Sequence, residues 1–213
     1  AYGARVVTYQ RGVESREAIG DSIAKRDGLA LIKPYDDHRV IAGQASVGVE
    51  ISQQCSELGL DDFSVLCCCG GGGLSAGIAL VLEAYNTGAQ LHTCEPNAFD
   101  DTARSLITGT RQTNATETGS ICDAILTPSP GEFTFPILQR LAGTGLVASD
   151  TEVLKAIAVA FDTLKLVVEP GGAIALAAAL FSDQLPDSDT LVVVLSGGNV
   201  DPRIFQQALG LNR

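Results

Sequence analysis

The chain of 213 residues has no methionine and no tryptophan, only two histidines, and 14 basic residues against 25 acidic ones. Each shortage excludes something. The deficit of lysine and arginine leaves a net charge of −11, so the chain lacks the basic footprint that nucleic acid and anionic membrane surfaces require. His38 and His92 are the only imidazoles and no Gly-x-Ser-x-Gly segment occurs, which removes a Ser-His-Asp hydrolase. No apolar run has membrane-spanning length, and no charged-then-apolar leader opens the chain. Cys55, Cys67, Cys68, Cys69, Cys94 and Cys122 form no Cys-x-x-Cys pair. Adjacent Cys67, Cys68 and Cys69 point alternately to opposite faces of a strand, so they read as reduced core residues rather than zinc ligands or a disulfide framework. This is the balance of a small acidic cytoplasmic protein. With no methionine at Ala1 or anywhere else, the chain reads as the C-terminal portion of a longer protein, an expectation from the sequence alone.

What is present is a 46% hydrophobic chain, enough for one substantial core and part of a second domain. Val65–Cys69, Gln90–Cys94 and Leu191–Leu195 are short apolar runs bounded by turn or helix signals, as in a buried parallel sheet. Helices are expected over Ser15–Arg26, Gln44–Leu58, Leu74–Tyr85 and Ala173–Phe181. The last is apolar nearly all round and must be buried, with Pro170 opening it. Ser149-Asp150-Thr151-Glu152 reads as a capping box for a helix with Val153, Ile157, Phe161 and Leu164 on one face. Ala4–Tyr9 and Leu29–Pro34 read as strands, and Tyr35–Arg39 as a polar connection. The alternation of strands and helices is an α/β rhythm.

The most telling segment is Val65 to Gly77, where an apolar run stops at Gly70, Gly71, Gly72 and Gly73 and a helix pattern follows. Glycines let backbone N–H groups converge, and a helix start adds the positive end of its dipole, so a phosphate can be held without Lys or Arg. A plain strand-to-helix turn would need fewer glycines. Leu74 and Ser75 follow where a nucleotide-triphosphate loop needs Gly-Lys-Ser/Thr. A dinucleotide site is the rival, since Gly71-x-Gly73-x-x-Ala76 fits the loose fingerprint and Glu95 ends the next apolar run.

A second apolar run, Leu191–Leu195, breaks at Ser196-Gly197-Gly198-Asn199-Val200-Asp201. Tetraglycine after one strand and this segment after another closely resemble the fold-type-II pyridoxal-phosphate enzymes, in the threonine/serine dehydratase and serine racemase branch. Ala1-Tyr2-Gly3-Ala4, Ile41-Ala42-Gly43-Gln44, Glu95-Pro96 with Asp100-Asp101, Ser120-Ile121-Cys122-Asp123, and Leu164-Lys165-Leu166 with Glu169-Pro170 agree in the same order.

The resemblance implies an α/β fold of the tryptophan synthase β-like kind, with residues 1–40 a remnant of the smaller α/β domain and 41–213 the large cofactor-binding domain. It implies that pyridoxal 5'-phosphate is held at its phosphate by Gly70, Gly71, Gly72, Gly73 and the N–H of Leu74. Ser196 would face the ring nitrogen, and Glu169 would lie near the ring, with Gln44 a polar wall. A neutral hydroxyl at that nitrogen favours β-elimination over the deeper carbanion chemistry of aminotransferases. For Ser196, a turn hydroxyl is the plainer reading; for Glu169, a helix N-terminal carboxylate.

The racemase-like members bind Mg²⁺ or Ca²⁺ at positions matching Glu95, Asp101 and the carbonyl of Phe99. Helix-start chemistry at Asp100 and Asp101 is the alternative. The implied activity is that of a threonine/serine ammonia-lyase, acting on a small amino acid and working as a homo-oligomer. The family's Schiff-base lysine would lie upstream of Ala1. Lys25, Lys33, Lys155 and Lys165 are the only lysines and match none of its settings, so they read as solvated. A non-catalytic fragment that folds with a partner chain is the remaining alternative.

Overall fold

A computed structural model describes residues 3–10, 12–85 and 88–211; Ala1 and Tyr2 of the opening motif lie outside them. The centre is a parallel sheet of β1 (Ser64–Cys68), β2 (Gln90–Pro96), β3 (Leu146–Ala148) and β4 (Leu191–Val193), in the order β3-β2-β1-β4. Ser64 lies opposite Gln90 on one side and Leu191 on the other. All five residues of β1 are buried, as are six of the seven in β2. Burial of alternating side chains means both faces are covered, which suits the apolar run of β1, while β2 carries His92, Thr93 and Glu95 into the same interior.

The covering helices are α3 (Gly73–Tyr85) and α7 (Pro170–Phe181), both packed on β1 and β2. Outside α3 lie α2 (His38–Glu57) and α5 (Thr134–Leu141); α6 (Asp150–Val159) packs on α7 and on α8 (Pro202–Gly210). Helices α2 and α3 approach so closely that a Cβ on Gly77 would come 2.7 Å from both Ala45 N and Ile41 O. The apolar expectation for α7 holds from Pro170 to Ala178 with only Leu176 partly open, while Leu180 and Phe181 in its last turn are exposed.

The capping box of α6 is formed in both directions: Glu152 N donates to Ser149 Oγ at 3.3 Å and Ser149 N to Glu152 Oε2 at 2.7 Å. The helix does not run on as expected. It passes into a π-helical turn, Ala160–Leu164, ended by Lys165 at φ 59°. An extra residue per turn rotates the following side chains off the buried stripe, so Val153 and Ile157 are buried whereas Leu164 is 51% exposed.

Three further expectations are corrected. Ala4–Tyr9 and Leu29–Pro34 form neither a strand nor a ladder with any described segment. Their alternation lacks a partner strand, and Val6 and Ile32 are left exposed. Between them α1 (Arg16–Asp27) forms as expected, capped by Ser15, yet buries none of its residues. Finally, α2 starts at His38 rather than Gln44, because Asp37 caps it by accepting from Arg39 N at 2.8 Å.

Candidate cofactor and cation sites

In an open parallel sheet, ligands settle beyond the carboxyl ends of the strands where the strand order reverses. Here the chain goes from β1 to β2 and β3 on one side and returns to β4 on the other, so the reversal lies between β1 and β4. The glycine loop leaves β1 at that point. A cavity of about 550 Å³ opens over it, lined by Gly70 to Leu74, Cys68, Tyr35 and Gln44 among others.

Each glycine of the loop has a local steric reason. A Cβ on Gly70 would lie 3.0 Å from the Ile125 Cα, one on Gly71 would enter the Tyr35 ring, one on Gly73 would press on the Tyr35 backbone at 3.1 Å, and Gly72 has φ +90°. Sterics alone therefore account for four glycines, more than a turn would need. What points to an anion is the direction of the polar groups. The loop is held through its carbonyls: Gly71 O accepts from Thr134 Oγ1 at 2.6 Å and from Gly131 N at 3.2 Å, and Gly72 O from Ala76 N at 2.8 Å. Among the described residues none accepts from the N–H groups of Gly70 to Leu74, and those of Gly73 and Leu74 open α3, where a helix has no acceptor of its own. A phosphate group fits this donor set.

Ser196 follows β4 at the same end of the sheet. It does not line the cavity directly; its Oγ lies 3.3 Å from Cys68 Sγ, and Cys68 does. Glu169 caps the start of α7 in extended conformation and grips the Ser196 loop: its N–H donates to Gly197 O at 2.9 Å, and Asn199 N donates to its Oε2 at 3.2 Å. The structure thus brings the glycine loop, Ser196 and Glu169 to one end of the sheet. Gln44 reaches the cavity from α2. Lys25, Lys33, Lys155 and Lys165 are exposed and none lines the cavity. The six cysteines are unpaired and buried. Burial pushes the thiols of Cys69 and Cys94 well up, and that of Cys122 to about 12.

The carboxylates at the end of β2 are a separate arrangement. Glu95 is fully buried, with Oε1 accepting from Thr102 N at 2.9 Å and Oε2 from Ala103 N at 2.7 Å, at the start of α4 (Asp101–Thr108). Helix-start chemistry is therefore performed by Glu95, from a neighbouring strand. Asp101 Oδ1 accepts from Asn114 Nδ2 at 2.6 Å, while its buried Oδ2 has no partner. Burial raises Glu95 well above the usual carboxylate range, aided by the Asp101 charge; burial likewise raises Asp101 to about 6. Asp100 stands apart in a half-exposed ion pair with Arg104 at 2.7 Å. Phe99 is buried in the turn between Pro96 and α4. Among the described residues no three His, Cys, Asp or Glu side chains converge as a metal cluster. Two buried carboxylates, one of them with an orphaned oxygen, are nonetheless donors of the kind a hard cation takes.

Sequence reasoning missed Thr134, Tyr35 and Asn114, which hold the loop and the carboxylate from distant segments. It also missed Asp36, whose carboxylate accepts from Glu132 N at 3.0 Å and Phe133 N at 2.8 Å beside the cavity. No local signal marks any of them.

Residues 1–197 match the family described as pyridoxal-phosphate dependent enzyme. The chain is 33% identical to a serine racemase of Arabidopsis thaliana over 94% of its own length and 60% of the relative's. It is 35% identical to an L-threo-3-hydroxyaspartate ammonia-lyase of Saccharomyces cerevisiae over 96% and 61%. Among solved structures, a threonine deaminase from T.th. shares 40% identity with a TM-score of 0.82, covering 87% of this chain and 62% of that one. Maize serine racemase shares 31% with a TM-score of 0.86, covering 99% and 64%. The chain thus spans about three fifths of the length of the curated relatives it matches. The dinucleotide reading of Gly71, Gly73, Ala76 and Glu95 gives way to these matches. The chain belongs to the fold-type-II pyridoxal-phosphate dependent enzymes, in the branch of serine racemase, threonine deaminase and hydroxyaspartate ammonia-lyase.

Proposed function

We propose that this chain carries the cofactor-binding part of an ammonia-lyase that converts a small 3-hydroxy amino acid to a 2-oxo acid and ammonia by β-elimination. The observation behind it is the free N–H cradle at the sheet's reversal point with a neutral hydroxyl, Ser196, on the neighbouring strand end. Pyridoxal phosphate, when bound, supplies a conjugated ring that withdraws charge from the amino acid's Cα and lets the β-substituent leave. The N–H groups of Gly70, Gly71, Gly72, Gly73 and Leu74 hold the phosphate, and the dipole of α3 favours its charge. Ser196 offers the ring nitrogen a hydrogen bond without a negative charge, which leaves the ring a moderate electron sink and suits elimination. Glu169 keeps the Ser196 loop in place from the start of α7. Residues 1–40 belong, in this reading, to the smaller domain.

A divalent cation, Mg²⁺ or Ca²⁺, is held by Glu95, Asp101 and the Phe99 carbonyl, fastening β2 to α4. Racemisation of serine is the second reading, favoured by relatives named serine racemase at 31 to 33% identity.

Two measurements test the proposal. Pyridoxal 5'-phosphate should bind saturably, with binding lost in Gly71→Leu, and should leave no lasting imine absorbance on this chain. A borohydride-reducible adduct mapped to one of Lys25, Lys33, Lys155 or Lys165 would overturn the assignment of those lysines. In the full-length protein carrying this chain, L-threonine, L-serine and 3-hydroxyaspartate are assayed for 2-oxo acid and L-serine for its D-enantiomer. Elimination that survives both Ser196→Ala and bulky replacements of Gly71 and Gly72 would sink the site.

A further inference from the structure

The six cysteines read alike in the sequence, but Cys68 stands alone among them in lining the cavity. It is the last residue of β1, 7% exposed, and its sulfur lies 3.3 Å from Ser196 Oγ. Cys69 turns the other way, to Thr102 Oγ1 at 3.5 Å. The carboxylate nearest the Ser196 loop, Glu169, is taken up by Asn199 N at 3.2 Å.

Counting hydrogens decides what the Cys68–Ser196 contact must be. A serine hydroxyl has one hydrogen and two lone pairs. If that hydrogen goes to an unprotonated ring nitrogen, it is not available to sulfur, and the 3.3 Å contact has to run from the thiol hydrogen to Ser196 Oγ. Sulfur suits this task, being a donor yet a weak acceptor. An oxygen at position 68 would compete with the ring for the serine hydrogen. The chain of hydrogen bonds is S–H to O–H to N, with each link polarising the next.

We infer that Cys68 is a positioning residue: its thiol donates to Ser196 Oγ and thereby turns the one hydroxyl hydrogen toward the ring nitrogen of the bound cofactor. This rests on the reading that the cavity receives pyridoxal phosphate. It adds that the strength of the hydrogen bond to the ring is set from β1 as well as from β4.

The test uses pyridoxine 5'-phosphate labelled with ¹⁵N in the ring, which cannot form a bond to any lysine. Binding is followed by titration and the ring-nitrogen shift by NMR. In the parent protein the bound nitrogen should show the shift of a hydrogen-bonded neutral pyridine. Cys68→Ala and Cys68→Val, which bracket the thiol's volume, should each weaken binding about three- to tenfold and move the shift toward the free value. Ser196→Ala should move it the whole way, and adding Cys68→Ala to Ser196→Ala should then change nothing further. Equal losses in the two backgrounds would mean that Cys68 only packs, and an unchanged shift in both Cys68 variants would mean that it does not position Ser196; either overturns the inference while leaving the cofactor reading intact. No saturable binding in the parent, or binding indifferent to Gly71→Leu, would remove the cofactor reading and the inference with it.

Discussion

The glycine loop after β1 and the carboxylate pair after β2 sit at adjacent strand ends and are built on opposite principles. The loop has no charged side chain of its own; it presents backbone N–H groups and a helix dipole. The pair consists of charged side chains withdrawn from water, one fully paired to backbone N–H groups and the other left with a bare oxygen. A site made of backbone costs little in the empty protein, and replacing its glycines damages it sterically. A site made of buried charge is destabilising when empty, and protonation or a cation relieves it. The two should therefore respond to different perturbations.

The largest effect is expected at the loop. Gly71→Leu places a side chain where the Tyr35 ring lies, and overpacking of this kind costs about 1–3 kcal/mol. Thermal unfolding should show that loss, and saturable binding of pyridoxal phosphate should disappear altogether. A variant that melts lower but binds normally would show that the loop is a turn and nothing more.

At the carboxylate pair the expected effect depends on pH. The Asp101 carboxyl is raised by burial from 3.8 to about 6. A carboxyl with a raised folded value is penalised while ionised, so its penalty is full above about pH 6 and fades as pH falls toward 4. The shift corresponds to roughly 3 kcal/mol at most. In the presence of a chelator, Asp101→Asn should raise the melting temperature at pH 7.5, and the gain should shrink by pH 5. Saturating Ca²⁺ or Mg²⁺ should stabilise the parent and do nothing for the variant. Cation-independent melting in the parent would break the comparison. His92 works in the opposite sense: burial lowers it, and its Nε2 is buried without a partner. Its contribution is lost as pH falls below 6.5, where the unfolded chain takes up a proton that the folded one resists. The pH arms of this test therefore need a His92→Gln background.

These contrasts were unequally legible in the sequence. β1 announced itself because burial on both faces favours an unbroken apolar run, β2 less plainly because His92, Thr93 and Glu95 interrupt it, and the glycine loop because its steric demands fall on consecutive residues. Burial of Cys67, Cys68 and Cys69 was readable; that Cys68 alone opens on the cavity was not, since alternation says which residues share a face but not what that face meets. The N-terminal strand signals misled, because period-two alternation reports a preference for pleated backbone and says nothing of whether a partner strand is at hand. The anchor of the loop was invisible for a third reason. Thr134 is 63 positions from Gly71, and such a pairing exists only once the chain has folded. Thr134→Val keeps the shape and removes the hydroxyl, leaving Gly71 O with its longer bond from Gly131 N. The expected cost is about 1–2 kcal/mol by denaturant unfolding, with binding weakened but retained.

The smallest effect separates two residues that the sequence sets side by side. Asp100 and Asp101 are neighbours of the same charge, and both would complement the dipole at the start of α4. Only Asp101 is buried with an orphaned oxygen; Asp100 pairs with Arg104 four positions on, and the two side chains are 32% and 36% exposed. Ion pairs of that kind contribute about 0.3–0.5 kcal/mol, because water already solvates both charges well. Asp100→Asn should therefore shift the unfolding midpoint barely beyond error, leave the pH trend of Asp101 in place, and preserve stabilisation by Ca²⁺ or Mg²⁺. If instead Asp100→Asn abolishes the cation response while Asp101→Asn keeps it, the cation is held at the surface ion pair and the buried oxygen of Asp101 has another purpose.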